Sequence, residues 1–211
     1  MSAATESQAI RLGEIRRQFA DSIAVKTAAL NDESLLRQLE RLTGACVQAL
    51  RAGHKVIFAG NGGSFADAQH LSAEFTSRFL LDRAPLPSLA LGTNSSAMSA
   101  IGNDYGYEQV FARELEAIAH AGDVFVPIST SGNSANILAA IDVATRLGIT
   151  TVAWSGSTGG KLQGRCECMC IPATETARIQ ECHILMGHIL CSMVEEELFR
   201  NRPSSAGKGP G

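Results

Sequence analysis

Strand-length apolar runs alternating with helix-period segments predict an α/β fold. The expected form is a three-layer αβα sandwich, a five-stranded parallel sheet with helices on both faces, plus N-terminal helices. Three observations carry this. Val56-Ile57-Phe58-Ala59 is a continuous apolar run, as in a strand buried on both faces. It breaks at Gly60-Asn61-Gly62-Gly63-Ser64 and resumes with helical periodicity to Phe75, the first half of a βαβ unit. The same grammar recurs at Val124–Ile128, where Ser129-Thr130-Ser131-Gly132-Asn133-Ser134 opens a helix to about Leu147.

Taken in order, residues 1–53 read as a helical arm of two helices. The first has a loose stripe of Ile10, Ile15, Phe19 and Ile23, and the second a tighter one of Leu35, Leu39, Leu42, Cys46 and Leu50. Asn31, Asp32 and Glu33 resemble a helix start and Gly53 a stop. These stripes must bury on the core's flank or on another subunit. Residues 54–200 form the α/β domain. After the opening strand and helix, Pro85 and Pro87 launch a second strand near Ser88–Leu91. A short helix near Ser95–Ile101, the break Gly102-Asn103-Asp104, and a helix from about Tyr107 to Ala119 follow. Beyond the serine loop come strands at Thr150–Trp154 and Cys166–Ile171 and a last helix over about Ala177–Phe199. Residues 201–211, rich in Ser, Gly, Pro and Lys, read as a disordered tail. No repeat of fixed period is present.

Composition narrows the function. The chain has 211 residues, 45% hydrophobic and only 18% charged, which implies surface buried between subunits. A net charge of −3 without a long basic run argues against nucleic acid. Neither a membrane span nor a signal peptide is recognisable, so a cytoplasmic protein with reduced thiols is expected. Cys166, Cys168 and Cys170 alternate along one strand face; packing of three small apolar residues is favoured there over a metal cluster.

Both turns should lie at the sheet's carboxyl edge, where parallel sheets bind ligands. The glycines of the first bring bare N–H groups close to a guest, and a helix N-terminus favours an anion. In the second, hydroxyls and N–H groups around Gly132 suit phosphate. A P-loop is excluded, since no Gly-Lys-Ser/Thr follows either turn, and Gly60-x-Gly62 lacks the third glycine of a dinucleotide fingerprint. His70 and Glu74, spaced i, i+4, share a helix face beginning at the first turn. The last helix offers Gln180, Glu181, His183 and His188. Helix angle puts Glu181 within about 20° of His188 and Gln180 within about 80°, so spacing does not choose between them. Two imidazoles with a carboxylate suit zinc, and equally acid–base chemistry.

The segments AGNGGSFADAQHLSAEF, IGNDYGYEQVF, ISTSGNSANIL and TARIQECHILMGHILC resemble the phosphoheptose isomerases, of the sugar-isomerase (SIS) fold, from about Ile23 to Phe199. The resemblance implies a cytoplasmic homotetramer with sites at subunit interfaces. Its reaction would interconvert sedoheptulose 7-phosphate and D-glycero-D-manno-heptose 7-phosphate, toward heptose for bacterial surface polysaccharide. By motif, Asn61, Gly62, Gly63, Asn103 and Asp104 would contact the phosphorylated seven-carbon sugar, with Glu74 and Gln180 also touching it. Ser129, Thr130, Ser131 and Ser134 would hold its phosphate. His70, Glu74, Gln180 and His188 would ligate one zinc per subunit, and Glu74 and His188 would be the acid–base pair. Phe65 and Asn94 depart from the family's usual small residue and Asp, and Phe65 is placed to reshape the pocket mouth. Rival readings are a SIS-fold protein that binds a replication initiator, which lacks the glutamate, and an isomerase or sensor of another phosphosugar.

Overall fold

A computed structural model describes residues 3–200, with side chains from residue 7; the tail expected at 201–211 lies outside the described residues. Two helices, α1 (Ala3–Leu30) and α2 (Glu33–Arg51), precede β1 (Val56–Gly60) and α3 (Gly63–Thr76). Then come β2 (Ser88–Ala90), α4 (Ser95–Tyr105), α5 (Val110–Ile118), β3 (Val124–Ile128) and α6 (Ala135–Arg146). The chain closes with β4 (Thr150–Ser155), β5 (Glu167–Cys170) and α7 (Thr176–Glu195), which ends in a wide turn over Glu196–Arg200.

The five strands are all parallel, in the order β2-β1-β3-β4-β5. The two runs that read as fully apolar, β1 and β3, are neighbours at the sheet's centre, in register from Val56↔Val124 to Gly60↔Ile128. Every residue of both strands is buried. Two apolar layers sandwich the sheet. Phe58, Val126 and Trp154 point toward α2, α3 and α7 through Leu39, Leu71, Phe75 and Leu190. Ile57, Phe125 and Ala153 point toward α5 and α6 through Phe111, Leu115, Ile137 and Ile141.

The stripe of α2 buries in the first layer, as one of the two expected resolutions. Its start is capped: Asp32 Oδ1 accepts from Ser34 N and Leu35 N. The stripe of α1 remains on the surface of the single chain, with Ile10, Ile15, Phe19 and Ile23 between 52% and 69% exposed.

One boundary needs correcting. Gly102-Asn103-Asp104 does not break the chain, and α4 continues through it. The stop is Gly106, which takes φ +91°, a conformation that side chains disfavour. Asn94 Oδ1 caps the other end by accepting from Ala97 N at 3.1 Å, which an Asp there would do equally well.

Candidate functional site

The register of β1 on β3 sets the two turns side by side, at the carboxyl ends of adjacent central strands. An amide pair stitches them together. Asn61 Nδ2 donates to Asn136 Oδ1 at 2.9 Å, and Asn136 Nδ2 donates back to Asn61 Oδ1 at 2.8 Å. Asn136 is buried, and sequence reasoning missed it because a polar residue in the first turn of a helix reads as an ordinary cap.

The serine turn is built as a cradle. Ser134 stands at the N-cap of α6, yet its hydroxyl makes no cap bond; it faces Ser129 Oγ at 3.0 Å. Ser155 Oγ donates to Ser129 O at 2.8 Å from the next strand, and Gly132 N donates to Ser129 O at 3.0 Å. Asn133 N donates to Ser131 Oγ at 3.2 Å. Gly132, at φ +67°, packs directly against the backbone of Gly159 and Gly160, leaving no room for a side chain. Hydroxyls beside helix-start N–H groups are chemistry that can hold an anion without a formal cation.

The first turn meets α7. A Cβ on Gly63 would lie 2.7 Å from the amide of Gln180, so the bare glycine is what lets that side chain approach the start of α3. Farther along the same helices, His70 Nε2 and His188 Nε2 are 2.9 Å apart, and Glu74 Oε1 lies 3.4 Å from His70 Nε2. Residues separated by more than a hundred positions thus converge in one chain. Phe79 stacks on the His188 ring, centroids 5.5 Å apart and planes at 22°.

The alternatives that spacing left open on α7 separate here. Glu181 is held by Ser22 Oγ at 2.6 Å and Arg178 at 2.7 Å, so its carboxylate bridges to α1. His183 is fully buried, with Nε2 donating to Ser155 O at 3.2 Å; burial pushes its pKa down to about 4, so it stays neutral. Gln180 and His188 are the residues that face α3.

Asn103 and Asp104 join each other, Asn103 Nδ2 donating to Asp104 Oδ1 at 2.8 Å. They line an open concavity with Ser95, Ser96 and Ser99, and among the described residues no hydrogen bond links them to the histidines or the cradle. Phe65 lies against Gly92 and the turn after β2. Asp67, one turn before His70, was also missed. Its buried Oδ2 has no partner, and burial raises its pKa to about 6, with His70 opposing.

For metal binding, the donors present are two imidazoles, a carboxylate and the Gln180 amide. Nitrogen and carboxylate donors of this kind are the ones zinc takes. Among the described residues no cage of three or more His, Cys, Asp or Glu side chains stands ready-made, and the imidazoles are paired with each other. The donor chemistry of His70, Glu74, Gln180 and His188 is of the kind that suits zinc. The β5 cysteines are free thiols, with Cys168 and Cys170 sulfurs 3.6 Å apart and the Cys168 thiol pushed up by burial. Cys166 and Cys168 pack against the apolar layer of Ile57 and Phe125.

Comparison with known proteins bears on the family and the fold. A family model for the SIS domain matches residues 18–156. A phosphoheptose isomerase from Aneurinibacillus thermoaerophilus is 51% identical over 89% of this chain and 96% of its own length. Phosphoheptose isomerase 2 of Campylobacter jejuni is 50% identical over 88% of this chain and 92% of its own. The solved structure of phosphoheptose isomerase from Neisseria gonorrhoeae superposes with a TM-score of 0.81 at 38% identity, covering 88% of this chain and 98% of that one.

Proposed function

The chain belongs to the phosphoheptose isomerases of the SIS-domain family, and from that membership we propose that it interconverts D-sedoheptulose 7-phosphate and D-glycero-D-manno-heptose 7-phosphate. The observation that carries the reading onto this chain is the meeting of Glu74 and His70 with His188, residues of two distant helices.

The phosphate is the handle. Seated on Ser129, Thr130, Ser131 and Ser134, it fixes the open-chain sugar in register, and positioning supplies much of the rate. Asn61, held by Asn136, and the bare backbone of Gly62 and Gly63 meet the sugar at the adjoining turn. Glu74 removes a proton from the carbon beside the carbonyl and returns it to the neighbouring carbon, through an enediol. His188 gives a proton to the carbonyl oxygen and takes one from the adjacent hydroxyl. Glu74 Oε2 has no hydrogen-bond partner among the described residues, which leaves it available to the substrate. His70, Glu74, Gln180 and His188 would hold one zinc ion per subunit; when bound, it would polarise the carbonyl and stabilise developing negative charge.

The apolar stripe exposed on α1 supports a homotetramer, with neighbouring subunits covering it and bordering the sites. Among the described residues no helix is long and apolar enough to cross a membrane, in keeping with a cytoplasmic enzyme that feeds heptose toward a surface polysaccharide. Possession of both Glu74 and His188 favours the enzyme over an initiator-binding protein of the same fold.

Incubation with sedoheptulose 7-phosphate, followed by NMR, tests the reading: the aldose should accumulate to equilibrium. Glu74→Gln and His188→Gln should each cut turnover about a hundredfold or more, and elemental analysis should find about one zinc per subunit. Near-normal turnover by either variant would overturn the assignment.

A further inference from the structure

The loop between α3 and β2, residues 77–87, lies outside every motif that names the site, yet it ties together the two helices that make it. Glu195 on α7 is buried, its side chain 2% exposed. Its two oxygens accept from Phe79 N at 2.7 Å, Leu80 N at 2.8 Å and Leu81 N at 3.0 Å, and from Arg83 Nε at 2.9 Å. Arg83, 3% exposed, then reaches the end of α3: Nη2 donates to Glu74 O at 2.9 Å and Nη1 to Phe75 O at 2.7 Å. The guanidinium sits where the helix dipole is negative.

A buried ion pair is a poor stabiliser compared with apolar packing, because both charges must leave water. This one is fully satisfied and aimed. One end holds the carbonyl of Glu74 itself. The other lies seven residues beyond His188, within about 20° on the same helix face. The backbone N–H of Phe79 is one of the groups gripped, and the Phe79 ring lies flat on His188.

We propose that Arg83, Glu195 and Phe79 are positioning residues for the isomerisation: the ion pair sets the separation of the helices bearing Glu74 and His188, and Phe79 sets the plane of the imidazole. None of the three touches the sugar. This rests on the reading in which Glu74 and His188 move the protons.

The test uses the purified full-length chain. Phe79→Leu removes the flat face but keeps every backbone bond to Glu195. It should lower kcat by about tenfold to a hundredfold, with KM within about twofold. Phe79→Tyr, which restores the face, should recover about half or more of the turnover. Independently of activity, the His188 ring proton resonances, assigned by their loss in His188→Gln, should move downfield in Phe79→Leu as the ring current disappears. Glu195→Gln should follow Phe79→Leu in kcat while remaining folded by circular dichroism. Unchanged kcat in Phe79→Leu, or unmoved His188 resonances, would overturn the proposal. A wild-type chain inert toward sedoheptulose 7-phosphate would instead end the isomerase reading, and the resonances would still judge the placement of the ring.

Discussion

Adding one methyl group at Gly132 should disable the phosphate cradle, and a matched control can show why. Gly132 and Gly148 have nearly the same φ, +67° and +68°. Around Gly148 a Cβ would meet nothing within 4 Å. Gly148→Ala therefore measures the left-handed backbone alone, about 1–2 kcal/mol. At Gly132 the same methyl would overlap the carbonyl of Gly159 and lie 2.9 Å from Gly160 N. Those neighbours are backbone atoms and cannot rotate away, so overpacking adds about 1–3 kcal/mol. For a chain of this size each kcal/mol lowers Tm by about 2–4 °C, so Gly148→Ala should lose about 2–8 °C and Gly132→Ala roughly twice that. The functional difference should be sharper. Relief of the overlap shifts the cradle by about an ångström, enough to raise KM for the phosphosugar about tenfold or more, whereas Gly148→Ala should leave KM unchanged. Scanning calorimetry and initial rates against sedoheptulose 7-phosphate give both quantities. Equal KM values for the two variants would refute the cradle.

Three further outcomes are expected. Asn136→Ala should free the Asn61 amide and raise KM about fivefold or more with a smaller change in kcat, measured by the same initial rates. The Glu195 carboxyl resists its own burial because Phe79, Leu80, Leu81 and Arg83 hold it below its ordinary 4.5. Its contribution is therefore complete above about pH 4.5 and lost as pH falls through the lower folded value, so wild-type Tm should drop more steeply below pH 4.5 than that of Glu195→Gln. Asp67 has the opposite sign: burial lifts its pKa from 3.8 to about 6, so the ionised form weakens the fold above pH 6 and not below pH 3.8. Asp67→Asn should raise Tm at pH 8 and leave it nearly unchanged at pH 3.5, by thermal melts.

Local chemistry made much of this protein legible. Runs such as Val56–Ala59 and Val124–Ile128 are apolar on both faces because both faces are covered, and that pattern survives in one dimension. Glycine- and serine-rich turns announce themselves because they interrupt both the apolar strand run and the helical period that follows. Other features carry no such mark. Gly102 reads as a breaker, yet it sits inside α4, since an isolated glycine weakens a helix without forbidding it. Phe79 and Glu195 look like ordinary loop and helix residues until the fold brings them to His188 and Arg83.

By itself, then, the order of residues determined the strands and the two turns that follow β1 and β3, and through motif resemblance it nominated the residues of the proposed site, because these depend on neighbours in the chain. The tertiary structure alone decided that β1 lies beside β3, that Gln180 turns toward Gly63 while Glu181 turns toward Ser22 and Arg178, and that the stripe of α1 stays uncovered in a single chain. Those outcomes depend on which surfaces pack together, and helix angle and local propensity leave that choice open.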